Sequence, residues 1–81
     1  MEVAEVVRKF IVEYFLFGDD DNLSNHTSFI EDGIIDSTGI LELVAFLEET
    51  FGIHVEDEEL VPENLDCISN VEKYVLIKMK G

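Results

Sequence analysis

Gly33-Ile34-Ile35-Asp36-Ser37-Thr38-Gly39-Ile40-Leu41-Glu42-Leu43 is the stretch whose reading decides the fold. A glycine-marked turn leads through an Asp-Ser step into apolar residues at helical spacing. The periodicity predicts a helix from about Ser37 to Phe51, with Gly52 beyond its end as the stop signal. At about 100° per residue, Ile40, Leu43, Val44, Leu47 and Phe51 form one apolar stripe, the expected core face. The other side carries Thr38, Leu41, Glu42, Ala45, Glu48 and Glu49, a narrow apolar strip rimmed by glutamates. Phe46 belongs to neither face. One hydroxyl, Ser37, stands at the mouth of this helix.

Working outward, residues 2–17 read as a first helix, with Val3, Val7, Phe10, Ile11 and Tyr14 at three- and four-residue spacing and Gly18 at its end. Residues 12–17 are apolar nearly all round, which predicts last turns buried on more than one side. From Asp19 to Ile35 the pattern breaks for 17 residues. That is long for a loop in a small domain, and Leu23, Phe29, Ile30, Ile34 and Ile35 are spaced through it as expected anchors. Beyond Gly52, an acidic turn precedes Leu60-Val61-Pro62-Glu63-Asn64-Leu65, a short helical turn with Pro62 suited to a first helical position. A last helix is expected from Asp66 or Cys67 to about Met79, burying Ile68, Val71 and Val75 with Tyr74 flanking. No run alternates like a strand. The expected fold class is all-α, a small three- to four-helix bundle with a long loop between helices 1 and 2, residues 1–81 forming a single domain.

Composition narrows the function. With 47% hydrophobic residues the chain can build a core, despite 19 Asp and Glu against 5 Lys and Arg and a net charge of −14. So dense a negative field repels nucleic acid and anionic lipid, and favours soluble partners with basic patches. A lone cysteine allows no internal disulfide, the acidic N-terminus lacks the positive charge of a signal peptide, and no apolar run approaches a membrane span. A cytoplasmic monomer is the expectation.

Catalytic equipment is sparse. His26 and His54 sit in no triad-like motif and read as exposed loop residues. One cysteine and two scattered histidines are too few for zinc. Asp19-Asp20-Asp21-Asn22 invites a calcium reading, but an EF-hand loop begun at Asp19 would place Leu23 at a ligand position and Ile30 where the closing glutamate belongs. Cys67 reads as a small buried residue, and no glycine-rich phosphate loop is present. The chain is not expected to be an enzyme, and neither a catalytic residue nor a metal site is assigned.

A serine opening a helix has a plain explanation, that it caps the free N–H groups. Here, however, an aspartate and a glycine turn precede it, so the hydroxyl is expected to project. A helix N-terminus also favours an attached phosphate through its dipole and unpaired amides. The run Asp32-Gly33-Ile34-Ile35-Asp36-Ser37 followed by Leu41-Glu42-Leu43-Val44 resembles the modification site of the acyl carrier protein family. The resemblance spans most of the chain: Thr27-Ser28-Phe29-Ile30-Glu31-Asp32 is similar to the loop before the site, Leu47-Glu48-Glu49-Thr50-Phe51-Gly52-Ile53 to the end of the second helix, and Pro62-Glu63-Asn64-Leu65 to the family's tail.

The resemblance implies a 4′-phosphopantetheine arm on Ser37, transferred from coenzyme A by a phosphopantetheinyl transferase, with Asp36 assisting attachment and its magnesium. The arm's thiol would hold acyl or related cargo as a thioester for loading and transferring enzymes with basic docking patches. Thr38, Leu41, Glu42, Ala45, Glu48 and Glu49 would be the docking face, while Ile30, Leu43, Leu47 and Ile68 would line any space sheltering cargo. Thr38 stands where fatty-acid members usually have leucine, and Gly39 in the first turn costs roughly 1 kcal/mol relative to alanine. The pathway therefore stays open between fatty acid, polyketide and aminoacyl or peptidyl types. A non-covalent acidic helical adaptor is the alternative from another class.

Overall fold

The computed structural model describes residues 2–19 and 23–80. They form four α-helices, with no strand among them: α1 (Val3–Phe15), α2 (Ser37–Phe51), the short α3 (Pro62–Leu65) and α4 (Ile68–Lys80), plus a 3-10 turn at Asp57–Glu59 before α3. The all-helical fold class and the long connection between α1 and α2 are as read from the sequence. α4 is the central element, because α1, α2 and α3 all pack on it. Its buried Ile68, Val71 and Val75 meet Val3, Val7 and Ile11 of α1 and Leu43 and Leu47 of α2 in one apolar cluster. Tyr74, expected at the flank, is buried as well; its hydroxyl reaches Glu59 Oε1 at 2.9 Å, so the ring can enter the core with its polar end satisfied.

α1 stops at Phe15, two residues short of its expected end. The N–H groups of Leu16 and Gly18 both donate to the Val12 carbonyl, at 3.2 and 2.9 Å, and Phe17 turns to a positive φ of 54°. The expectation that its last turns are buried on several sides is corrected here: Tyr14 is 54% exposed and Phe17 92%. Phe46, which the helical wheel does not place, stacks on Phe10 with centroids 4.0 Å apart and planes 12° from parallel, so one aromatic pair joins α1 to α2.

Two hubs pin the irregular segments. The Arg8 guanidinium donates to the Leu23 carbonyl (2.8 Å) and to Asn25 Oδ1 (2.6 Å), fixing the start of the long loop to α1. Asp66, before α4, fixes its end: Ser28 Oγ donates to Oδ2 at 2.6 Å, the Ile30 N–H to Oδ1 at 3.1 Å, and the Phe29 N–H to the Asp66 carbonyl at 2.7 Å. Phe29 is fully buried, and Leu23 and Ile35 nearly so. Ile30 is the exception among the expected anchors, being 49% exposed.

The 3-10 turn is held by Glu59. Its Oε1 accepts from the Glu56 N–H, the Tyr74 hydroxyl and Lys78 Nζ, each at 2.9 Å. The backbone bond from Glu56 first, then the bonds from Lys78 and Tyr74, bring the Glu59 carboxyl down from the ordinary 4.5 to about 2. A carboxyl lowered by folding adds stability above its unfolded pKa, and that share is lost as the pH falls from 4.5 towards 2. Glu59→Gln is accordingly expected to flatten the fall of melting temperature across this acid window, leaving the pH dependence above 5 as in the parent. An acid limb of unchanged slope would contradict the assignment.

Candidate functional site

α2 begins where its chemistry permits. Gly33 takes a φ of 70°, the left-handed turn that brings the chain back after the loop. The N–H groups of Ile34 and Ile35 then donate to the Phe29 carbonyl, at 2.8 and 3.1 Å, and buried Ile35 locks the approach. Asp36 is the N-cap: its Oδ1 accepts the Gly39 N–H at 2.7 Å and its carbonyl the Ile40 N–H at 3.0 Å.

That assignment changes the part played by Ser37. The capping task belongs to Asp36, so Ser37 is the first residue inside the helix, exposed, and its Oγ makes no hydrogen bond to the described residues. Within the first turn Asp36 satisfies the Gly39 amide, which leaves those of Ser37 and Thr38 for an anionic group at the positive end of the helix dipole. Among the described residues neither histidine stands beside the hydroxyl. His54 faces acids elsewhere, its Nδ1 3.4 Å from Glu48 and its Nε2 3.3 Å from Glu56, and His26 is an exposed loop residue. Ser37 therefore presents an exposed hydroxyl at the start of α2 with neither histidine beside it.

Gly39 is more than a weak helix former. It is buried, and a Cβ built on it would lie 2.8 Å from Ile35 Cγ2 and 3.0 Å from Phe15 Cε1. The missing side chain lets α2 start in contact with the end of α1.

Beside Ser37 lies an apolar groove of about 290 Å³. Ile30, Ile40 and Leu41 line one part of it, and Leu60, Val61, Pro62 and Leu65 another. Its polar members are Ser37 and Asp66, and both Asp66 carboxylate oxygens already accept hydrogen bonds. Of the four residues expected to shelter cargo, only Ile30 is here; Leu43, Leu47 and Ile68 are fully buried core. The groove residues around Pro62 are not among the expected cargo residues, although the apolar Leu60-Val61-Pro62 run after four acids is a usable signal.

On the expected docking face, Thr38, Leu41, Glu42, Ala45 and Glu49 are exposed. Glu48 differs: it is half-buried, its Oε2 accepts the Val55 N–H at 2.9 Å, and it ties the end of α2 to the next segment. Among the described residues no group of three or more His, Cys, Asp or Glu side chains could hold a metal ion. Asp20, Asp21 and Asn22 of the calcium reading lie outside those residues. No described helix is long and apolar enough to cross a membrane.

No protein-family model matches the chain. It is similar, however, to the acyl carrier protein of Zymomonas mobilis subsp. mobilis, with 31% identity over 74 residues that cover 91% of each chain.

Proposed function

This chain belongs to the acyl carrier protein family, and from that premise we propose that it carries acyl or related intermediates as thioesters on a 4′-phosphopantetheine arm joined to Ser37. The observation that carries the reading is the division of labour at the start of α2. Asp36 caps the helix, so the Ser37 hydroxyl is exposed and uncommitted beside free amides that suit a phosphate. In the loading step Ser37 Oγ attacks the pantetheine-side phosphorus of coenzyme A. The phosphoanhydride bond breaks, the adenine-nucleotide half leaves, and the serine proton passes to a base of the transferase. Asp36 contributes by fixing the backbone that presents the hydroxyl.

The groove supports apolar cargo of modest size. At about 290 Å³ it falls at the lower edge of the roughly 300–1,000 Å³ usual for ligand sites, and the one charged side chain in its wall, Asp66, already accepts a hydrogen bond at each carboxylate oxygen. A polar thioester head would stay at the mouth near Ser37 while an apolar tail lies against Ile40, Leu60 and Leu65. Glu42 and Glu49 are the carboxylates best placed to meet basic partners, because Glu48 is occupied by the backbone of Val55. The body of the protein supplies charge and presentation, and its partners supply the chemistry.

The test is the intact mass of the chain after incubation with coenzyme A and a broad-specificity phosphopantetheinyl transferase. A gain of one phosphopantetheine per chain is expected. No gain under conditions that load a control carrier would leave the non-covalent adaptor as the better account.

A further inference from the structure

The outer face of α4 carries a stripe of its own. Lys73, Leu76, Ile77 and Lys80 recur at three- and four-residue spacing and are all exposed, on the side opposite the buried Ile68, Val71 and Val75. Leu76 is 44% exposed and Ile77 70%, so an apolar pair flanked by lysines faces solvent. With only 5 Lys and Arg in the chain, two on one stripe concentrate its positive charge. A lysine near the end of a helix suits the dipole, and Lys78 there is already paired with Glu59 Oε1 at 2.9 Å. That account does not reach Lys73, which lies mid-helix, and gives no reason for the apolar pair beside it. Among the described residues neither Lys73 nor Lys80 is ion-paired.

The complement of this stripe stands on the same molecule. On α2, Glu42, Ala45 and Glu49 share an exposed face, with exposed Leu41 beside them. Glu42 and Glu49 are seven residues apart, as are Lys73 and Lys80. Each pair therefore spans roughly 10.5 Å along its helix, at about 1.5 Å per residue. Apolar side chains lie between the charges in both. Each surface is on the side of its helix away from the shared core, so the two cannot meet within one chain.

We propose that the Lys73–Lys80 stripe binds the Glu42–Glu49 face of a second copy of this chain, in a weak and reversible association. Two lysine–glutamate pairs form in register, and Leu76 and Ile77 cover Leu41 and Ala45. The net charge of −14 opposes this contact only at long range. The body measures 34 × 26 × 19 Å, so the centres of two docked copies lie more than two Debye lengths apart at about 0.15 M salt, where that length is roughly 8 Å. The average repulsion is then largely screened, whereas paired side chains at contact distance are not. Each copy offers one stripe and one face, so the contact is heterologous, closing as a pair that exchanges both contacts or extending as a short chain. Either form covers Glu42 and Glu49, the carboxylates proposed above for enzyme partners. Copies at high concentration therefore compete with those enzymes.

Sedimentation velocity of the full chain at about 0.15 M salt, from roughly 10 μM to roughly 1 mM, tests this. The parent is expected to be monomeric when dilute, and to rise about 1.5-fold in mean mass at the top of the range, as a Kd of about 1 mM gives. The double variants Lys73→Glu/Lys80→Glu and Glu42→Lys/Glu49→Lys are each expected to stay monomeric throughout. The second of them is less negative than the parent, so relief of general repulsion alone would make it associate more. An equimolar mixture of the two is expected to regain the parent's association, because each finds its complement on the other. All four replaced residues are exposed, so helix content and melting temperature should stay near the parent's. A parent that remains monomeric across the range overturns the proposal and leaves the stripe to an acidic surface of another protein. Association that survives in both variants, or a mixture that stays monomeric, overturns it too. None of these results depends on an arm at Ser37, so failure here and failure of the carrier reading are told apart.

Discussion

Replacing Phe29 with alanine is expected to cost roughly 3–5 kcal/mol of folding stability, the usual range for emptying a buried aromatic site. The ring is fully buried, and its backbone organises the whole turn before the site. Its N–H donates to the Asp66 carbonyl, and its own carbonyl accepts from both Ile34 and Ile35. An 81-residue chain at ordinary stability per residue has roughly 4–12 kcal/mol in all, so the loss is a large part of the total. Urea unfolding should show a much lower midpoint with little change in slope. A shift equivalent to less than about 1 kcal/mol would mean that the loop is not pinned through this residue, since typical core truncations exceed that value. The site should suffer with the fold, because Ile35 and Asp36 follow directly on the carbonyl that Phe29 supplies.

The second large effect reverses what helix propensity alone suggests. Taken as a helix position, Gly39 should gain roughly 1 kcal/mol on conversion to alanine. The structure puts Ile35 and Phe15 within 3.0 Å of the added methyl, and the Ile35 atom is held close to its own backbone rather than at the end of a flexible chain. Overpacking of this kind costs roughly 1–3 kcal/mol, and more where neighbours cannot yield. Gly39→Ala is therefore expected to be destabilising by roughly 1–2 kcal/mol net, and Gly39→Val by more, since valine brings greater bulk and poorer helix propensity. Thermal unfolding of the two variants gives the sign directly. A higher melting temperature for Gly39→Ala would show that α1 and α2 can separate at this point at little cost.

These two positions mark how far the sequence could be read. Helix α2 was legible because fifteen residues keep one period between an Asp-Ser start and a glycine stop, and its assigned ends hold within the structure. Ser37 was legible for the same reason, as the hydroxyl nearest a well-marked helix start. What escaped is what depends on a partner far along the chain. The sequence alone lets either Asp36 or Ser37 be the cap, since both residue types suit that position and only the backbone decides between them. Gly39 looked like a local defect until Phe15 was brought against it from another helix. Glu48 sits on the exposed side by periodicity, yet the segment after Gly52 folds back to use it. Hydropathy points Ile30 inward, yet Asp66 holds its amide and the side chain lines the groove. The apolar run predicts a helical, buried Phe17, and the backbone leaves the helix two residues before it.

The central claim is that the arm sits on Ser37, and the neighbouring hydroxyl of Thr38 makes location the point to test. Proteolysis of the arm-loaded chain followed by fragment mass analysis locates the added group to a single residue. Phosphopantetheine is expected on Ser37, and a Ser37→Ala chain is expected to keep its helix content but gain no mass. An arm found on Thr38 or any other residue, or a mass gain that persists in Ser37→Ala, would contradict it.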